Sequence, residues 1–481
     1  MLDALHVAWS WLHQFEHYTL YLTLGWIGYL VWLGGWIVLQ KRAPVATLGW
    51  LLGLAALPYI GFLIYFVLGP QRIKRQRLRR ARSKVALPPA EGPIAAPEAR
   101  ELQRLARATT GLPVTTATVV RLLVDGGATY DALLADVRTA RHQIHLEYYI
   151  YAADATGTVL RDALVERARN GVIVRLLLDA VGSSSCPRRF FAPLLAAGGE
   201  VAWFHPMRFG RIWKRPWLNL RSHRKIVVID GNVAFTGGIN VTDDENERLR
   251  SDAFRDLHVR LEGDCVRSLQ QVFVEDWAYA TGTRDFISSV ATVMPPLQPG
   301  PIAAQVLTSG PDSPWEAIHR LHVGAIHSAR QRVWLATPYF VPGAAAIMAL
   351  SSAALAGLDV RLLVPKMSDS RLVTYAARSY FDDLMLAGVR IYEYGPRMLH
   401  TKAMLVDDDV AIIGTANFDA RSFRLNFEVS MLFVDTTIAA ELARLIEGEF
   451  ASAPRVREHR AQPLWTVRLP EALARLLSPV L

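Results

Sequence analysis

One pattern occurs twice in this chain with every spacing kept. Residues 223–240 read HRKIVVIDGNVAFTGGIN and residues 400–417 read HTKAMLVDDDVAIIGTAN. His223, Lys225, Asp230, Gly237, Gly238 and Asn240 in the first copy answer to His400, Lys402, Asp407, Gly414, Thr415 and Asn417 in the second. The chain has 13 histidines but only seven lysines, and two of those lysines fall at the same place in the pattern. The surrounding sequence repeats as well. "QIHLEYYIY" (143–151) matches "RVWLATPYF" (332–340), "VIVRLLLD" (172–179) matches "LDVRLLVP" (358–365), and "GGEVAWFHP" (198–206) matches "GVRIYEYGP" (388–396). In each half a helical pattern separates the first two apolar runs. A period of about 180 residues is too long for a solenoid, so the repeat predicts two facing, pseudo-symmetric α/β lobes with helices on the sheet faces. Residues 111–292 are assigned to the first lobe and 293–481 to the second.

Two features break the symmetry. Three residues separate Pro396 from His400, but sixteen separate Pro206 from His223; that insertion mixes Arg208, Arg211, Lys214 and Arg215 with Phe209, Trp213 and Trp217, a blend suited to a membrane interface. The other is the N-terminus. Residues 1–70 contain two uncharged apolar stretches, over about 18–40 and 45–68, each long enough for a bilayer span of about 20 residues. Pro58 falls in the second, and Tyr18, Trp50 and Tyr65 lie near expected interfaces. Asp3 and Glu16 precede the first stretch and no Lys or Arg does, which argues against a cleaved signal peptide. This region is read as a two-helix membrane hairpin, followed by a juxtamembrane segment and linker (71–110).

The formal charge of +9 is concentrated in "QRIKRQRLRRARSK" (71–84), which holds eight basic residues and no acid. Removing it leaves about +1 by the same count, too little for a nucleic-acid groove over the lobes. The positive-inside rule then puts the lobes on the cytoplasmic side, with the basic cluster facing anionic lipid headgroups. Two cysteines, Cys186 and Cys265, make no disulfide framework.

The chemistry of the repeated pattern follows from residue type. His and Lys two positions apart share a face of extended chain, and an apolar strand follows them. The Asp lies five positions beyond the Lys, which points it away, toward support of the strand or turn. The glycines permit a tight turn that presents the Asn amide. Two facing copies bring two imidazoles, two ammonium groups and two amides to one point, a set suited to a phosphodiester. The lysines and asparagines hold anionic oxygens; one imidazole attacks phosphorus and the other moves the proton of the departing and arriving alcohols. The lysines supply the positive charge, so neither a metal nor another cofactor is called for.

These residues resemble the twin HKD motifs of the phospholipase D superfamily. With "IHLEYYIY", "SGPDSPW" (309–315), "TPYFVP" (337–342), "NFDARSFRLNFE" (417–428) and the N-terminal hairpin, nearly the whole chain is similar to the bacterial cardiolipin synthases. The resemblance implies two phospholipase-D-like lobes of mixed sheets flanked by helices. It also implies a multi-pass location in the bacterial cytoplasmic (inner) membrane and phosphatidyl transfer between two phosphatidylglycerols, giving cardiolipin and glycerol. It assigns His223 as nucleophile and His400 as acid/base, with Lys225, Lys402, Asp230 and Asp407 completing the catalytic set and Asn240 and Asn417 binding substrate. A carboxylate from the opposite half orients each histidine in related enzymes, which pairs His223 with Glu428 and His400 with Asp256. Thr415, where the first half has Gly238, is the only departure within the motifs. A hydrolase or a tethered nuclease using the same site is the competing reading, and phosphatidylethanolamine could replace one of the two lipids. Glu147, Tyr148 and Tyr149 could line a lipid path but are read as closing a buried strand and left out of the catalytic set, and the leucines of "PEALARLLSPVL" (470–481) are read as packing on the body.

Overall fold

The computed structural model describes residues 18–39, 44–56, 97–205, 220–457, 460 and 462–478. The later part of the second apolar stretch, the basic segment 71–84, the Pro/Ala-rich run up to residue 96 and residues 206–219 of the insertion lie outside the described residues. The chain forms two units, and the first contains the N-terminal helices.

In that unit, Tyr18–Val38 is one helix of 21 residues, about 31 Å long at 1.5 Å per residue. Leu20, Tyr21, Leu24, Val31 and Trp32 on it are exposed. Among the described residues it is the one helix long and apolar enough to cross a membrane. Pro44–Ala56 forms a shorter apolar helix of 13 residues. Leu33 and Ile37 of the first helix are buried with Leu54 of the second, flanked by Tyr29, Trp50 and Leu51. The expected hairpin is thus seen in part.

The second unit carries both lobes. Its strands are, in chain order, β1 (Thr115–Ala117), β2 (Val119–Val124), β3 (Gln143–Tyr148), β4 (Ile173–Asp179), β5 (Glu200–Phe204), β6 (Ile226–Ile229), β7 (Val233–Gly237) and β8 (Leu257–Glu262), then β9 (Ile302–Ser309), β10 (Arg332–Ala336), β11 (Phe340–Val341), β12 (Asp359–Pro365), β13 (Arg390–Tyr394), β14 (Ala403–Val406), β15 (Val410–Gly414), β16 (Phe418–Asp419) and β17 (Glu428–Val434). The first sheet runs β2-β8-β7-β6-β3-β4-β5 and the second β9-β17-β15-β14-β10-β12-β13, with β1 added at the β9 edge. Strand for strand the two orders are the same. β3, β4 and β5 are parallel, as are β10, β12 and β13, while β6 and β14 run antiparallel to β3 and β10. Short Val/Ile/Leu runs buried on both faces are what parallel strands covered by helices require.

Helices Asp125–Thr139 and Ala155–Arg169 cover the outer face of the first sheet; Ala317–Ser328, Ala344–Leu355 and Arg371–Arg378 cover that of the second. A central core joins the sheets. Ile226, Val228, Val259 and Leu261 of the first sheet are buried in one cluster with Val306, Leu405, Ile413 and Met431 of the second, together with helices Cys265–Thr281 and Thr436–Ser452. Two segments depart from expectation. Pro97–Thr110, read as linker, is a helix whose Leu102 and Ala106 join the core of the second lobe. The helix Leu469–Leu476 buries Glu471 and Ala474 while Leu473 and Leu476 are exposed, the reverse of the expected packing. The cause is polar: Arg460 clamps the Glu471 carboxylate at 2.7 Å, and Tyr380 Oη meets Ser478 Oγ at 3.0 Å, turning the small and polar side inward.

Candidate active site

β6 and β14 begin just after the two lysines, so each His-x-Lys triplet is extended chain entering a buried strand. These triplets are fixed from the other lobe. Phe427 N donates to Arg221 O at 2.8 Å and His223 N donates to Phe427 O at 2.9 Å. In the mirrored contact, Arg255 N donates to Met398 O at 2.8 Å and His400 N donates to Arg255 O at 2.7 Å. Each bridge sets a register, and the residue following each bridge partner is a carboxylate. His223 Nδ1 therefore lies 3.0 Å from Glu428 Oε2, and His400 Nδ1 lies 2.6 Å from Asp256 Oδ2. Each histidine is held by a carboxylate of the opposite lobe.

The lysines fold back on their own histidines. Lys225 Nζ donates to the His223 carbonyl at 2.9 Å, and Lys402 Nζ to the His400 carbonyl and, at 3.4 Å, to Asp256 Oδ2. Burial, assisted by the nearby Lys402 charge and opposed by Glu428, lowers Lys225 to about 8. Burial likewise pulls the His223 imidazole below its ordinary value; Glu428 opposes this, while Lys225 and Lys402 add to it. Burial pushes Glu428 upward, but the charge and hydrogen bond of His223, the Thr415 hydroxyl and Lys225 outweigh it and hold the carboxyl low. Asp256 is held low in the same way by Lys402 and His400 against its burial. Charges of one lobe act on groups of the other, as convergence on one point demands.

The single departure within the motifs has a steric reason. A Cβ on Gly238 would come within 2.1 Å of Asp256 Oδ1, so the carboxylate occupies the space a side chain would need. At the matching position Thr415 fills the space beside Glu428 and donates its hydroxyl to Oε2 at 2.5 Å. Gly237 has φ 143° and closes on the His258 backbone, where a Cβ would lie 2.7 Å from the His258 Cα. Close approach, more than turn tightness, is what these glycines provide.

Asp230 and Asp407 stand apart from this convergence. Both have positive φ, 52° and 50°. Asp230 accepts from the backbone N–H of Arg141, His142 and Gln143 at 2.7–2.8 Å. Asp407 accepts from Arg330, Gln331 and Arg332 at 2.9, 2.8 and 3.0 Å. Each caps the start of the strand beside its own motif. The asparagines are buried near the histidines but are not equivalent. Asn240 Oδ1 accepts from Ile150 N at 3.2 Å and its Nδ2 donates to Glu245 Oε1 at 2.6 Å, whereas Asn417 Oδ1 is buried without a hydrogen-bond partner among the described residues.

Two residues outside the sequence-based set belong here. Tyr149 meets the His223 ring edge-on with centroids 4.8 Å apart, and Lys225 Nζ lies 5.4 Å from the Tyr149 centroid. Its place directly after β3, which pairs with β6, was the available signal. Glu245 is buried, and one carboxylate oxygen lies within 4.8 Å of ring or carboxylate atoms of both His400 and Asp256. The repeat gave no signal for it, because the matching residue is Ser422.

Comparison with known proteins agrees with this geometry. A family model described as "Cardiolipin synthase, PLD-like domain" matches residues 133–277 and 323–450. A second, "Phospholipase_D-nuclease N-terminal", matches 30–70. The chain is 41% identical over 463 residues to a cardiolipin synthase of Geobacillus kaustophilus, covering 92% of this chain and 91% of that protein. It is 39% identical to cardiolipin synthase 2 of Bacillus cereus, covering 93% and 89%. The crystal structure of a phosphatidylserine synthase from Haemophilus influenzae superposes with a TM-score of 0.61 at 13% identity over 79% of this chain and all of that one, a likeness of fold alone. With paired motifs on paired sheets and relatives this similar over almost their full length, the chain belongs to the cardiolipin synthase family of phospholipase-D-like proteins.

Proposed function

We propose that the chain transfers a phosphatidyl group between two phosphatidylglycerols through a phosphohistidine, with the site divided as follows. His223 Nε2 attacks phosphorus; the bond from phosphorus to the glycerol oxygen breaks, and His400 gives that oxygen its proton, releasing glycerol. The terminal hydroxyl of a second phosphatidylglycerol then attacks the phosphohistidine. His400 takes its proton, the nitrogen–phosphorus bond breaks, and cardiolipin leaves. One phosphodiester replaces another at each step, so no nucleotide is consumed. A nucleophilic imidazole must be neutral, and burial favours neutral His223. Glu428 takes the Nδ1 proton side, leaving the Nε2 lone pair for phosphorus. Lys225, Lys402, Asn240 and Asn417 are assigned to the anionic phosphate oxygens. Asp230 and Asp407, spent on backbone N–H groups, hold the strands.

The observation that carries this reading is the crosswise pairing of each histidine with a carboxylate of the other lobe. It makes one site from two half-sites. Anchoring belongs to the same reading: an N-terminal hairpin in the bacterial cytoplasmic membrane, the basic segment 71–84 against anionic headgroups, lobes over 111–292 and 293–481 on the cytoplasmic side, and lipid in place of nucleic acid as substrate. The test is product analysis of the purified protein with phosphatidylglycerol labelled in its glycerol headgroup and acyl chains, in vesicles. Cardiolipin and free glycerol in equal amounts are the expected products. Phosphatidic acid as the main product would make the enzyme a hydrolase, and turnover only when phosphatidylethanolamine is added would change the second lipid.

A further inference from the structure

The two half-sites match in fold, backbone bridges, histidine, lysine and orienting carboxylate, yet the reaction asks different things of the two histidines. A physical asymmetry must assign the roles. Five residues past each motif asparagine the halves diverge: Glu245 in the first, Ser422 in the second. Ser422 Oγ accepts from the backbone N of Asn417 at 3.2 Å and carries no charge. Glu245 is 1% exposed, receives Asn240 Nδ2 on Oε1, and leaves Oε2 buried with no hydrogen-bond partner among the described residues. It lies within 4.8 Å of His400 and Asp256. The groups facing this point are His400, Lys402, Asp256, Asn240 and Lys225, with the Tyr130 and Tyr148 phenols farther round. Lys402 already fills the cationic position beside Asp256. The second lobe has an extra buried acid of its own, Asp419, but its Oδ1 caps the helix Ala420–Arg424 through Ser422 N at 2.6 Å. Among the described residues, His400 thus has two carboxylates within 4.8 Å, Asp256 and Glu245, while the acid hydrogen-bonded to His223 is Glu428.

We propose that Glu245 is a positioning residue that commits the acid/base role to His400. Its second carboxylate beside the His400–Asp256 pair stabilises the imidazolium that must donate the proton. Its bond to Asn240 turns the remaining amide N–H toward the phosphate. A buried carboxylate oxygen without a donor is costly to keep, and this function accounts for its retention at a matched position where the other lobe has an uncharged serine. Binding a further cation is the rival use of the same oxygen, and the experiment below separates the two.

The proposal rests on the phosphatidyl-transfer reading. Its test is the dependence of rate on leaving group in Glu245→Gln, which keeps the shape and the acceptor for Asn240 and removes the charge. With phosphatidylglycerol the departing alkoxide needs a proton, and general acid catalysis contributes about 10²–10⁴-fold; Glu245→Gln is expected to lower this rate about 10- to 100-fold. With phosphatidyl-p-nitrophenol the leaving group needs no proton, and the burst of p-nitrophenolate is expected to fall by less than about threefold. Glu245→Asp should recover part of the loss. Equal losses on both substrates, or no loss on phosphatidylglycerol, would overturn the proposal, as would a wild-type rate that requires an added divalent cation and loses that requirement in Glu245→Gln. A wild-type enzyme that cleaves the p-nitrophenyl lipid but makes no cardiolipin would overturn the substrate reading instead. The same comparison would then be made with an ethyl ester headgroup, another alkoxide.

Discussion

Replacing Glu428 with glutamine removes one charge with little change of shape, and the structure sets the size of the effect. Glu428 is fully buried and accepts three donors: His223 Nδ1 and the Thr415 hydroxyl on Oε2, and Asn426 Nδ2, at 3.2 Å, on Oε1. A glutamine oxygen in the Oε2 position keeps the first two. Its amide then faces Asn426, whose Oδ1 has no hydrogen-bond partner among the described residues and can rotate to accept. The His223 tautomer is therefore preserved and the variant reads electrostatics alone. As His223 attacks, positive charge grows on the ring about 4 Å from the carboxylate, an interaction of about 4 kcal/mol at an effective dielectric constant of 20. That corresponds to a fall of about 10³ in the rate of phosphoenzyme formation. The assay is acid quench of the protein with phosphatidylglycerol labelled in the phosphate, counting label on the protein against time, with unfolding curves to show that the fold is kept. Loss of less than tenfold in Glu428→Gln, alongside complete loss in His223→Ala, would refute the argument and reduce Glu428 to packing.

Three further outcomes follow from individual contacts. Lys225 loses its charge near pH 8 in the folded protein against 10.5 in water, so activity should decline as pH rises through about 8. Over the same interval stability should increase, because the unfolded chain then binds the extra proton and the cost of burying charged Lys225 is relieved between the two values; a pH–rate profile and urea midpoints at pH 7.5 and 9.5 check both signs. Asp230→Ala strips acceptors from three backbone N–H groups and should destabilise the lobe by about 2–4 kcal/mol, seen as a lower denaturation midpoint, while the rate of the molecules that remain folded stays within a few-fold of wild type. Gly238→Ala puts a methyl group where Asp256 Oδ1 sits and should cost about 10²-fold in turnover by displacing the partner of His400. The mirrored change Thr415→Gly, which removes the hydroxyl bonded to Glu428 and to the Val429 backbone but puts nothing in the carboxylate's place, should cost under about tenfold, measured as cardiolipin formed per enzyme.

Much of the lobe architecture was legible because duplication prints the same signal twice. Short apolar runs in matching order, each followed by the same polar constellation, left few ways to arrange the strands, and the two sheets do share one strand order. Segments without a counterpart were read less well. Pro97–Thr110 looked like linker because its Leu102 and Ala106 make sense only against a second lobe more than 200 residues later in sequence. The C-terminal leucines carried a helical pattern, but the pattern does not say which side is inward. A partly buried ion pair, Arg460 with Glu471, decided that, and composition gave no hint of it.

Within the site the same logic runs to its limit. The motif histidines and lysines were visible from spacing, since His-x-Lys occurs at these two places in the sequence and nowhere else. The partners Glu428 and Asp256 could be named only through resemblance; what puts them there is the pair of crossing backbone bridges, a contact between residues about 145 and 205 positions apart that no local pattern encodes. Glu245 lay beyond both routes. Matching the halves, which revealed the histidines, concealed it, because a residue that breaks a repeat reads as noise. Yet a site built from two equivalent halves cannot by itself tell nucleophile from acid. The charge that distinguishes them has to come from a position where the copies disagree, and of the groups packed around the two histidines it is Glu245, opposite Ser422, that brings an additional carboxylate to one ring and none to the other.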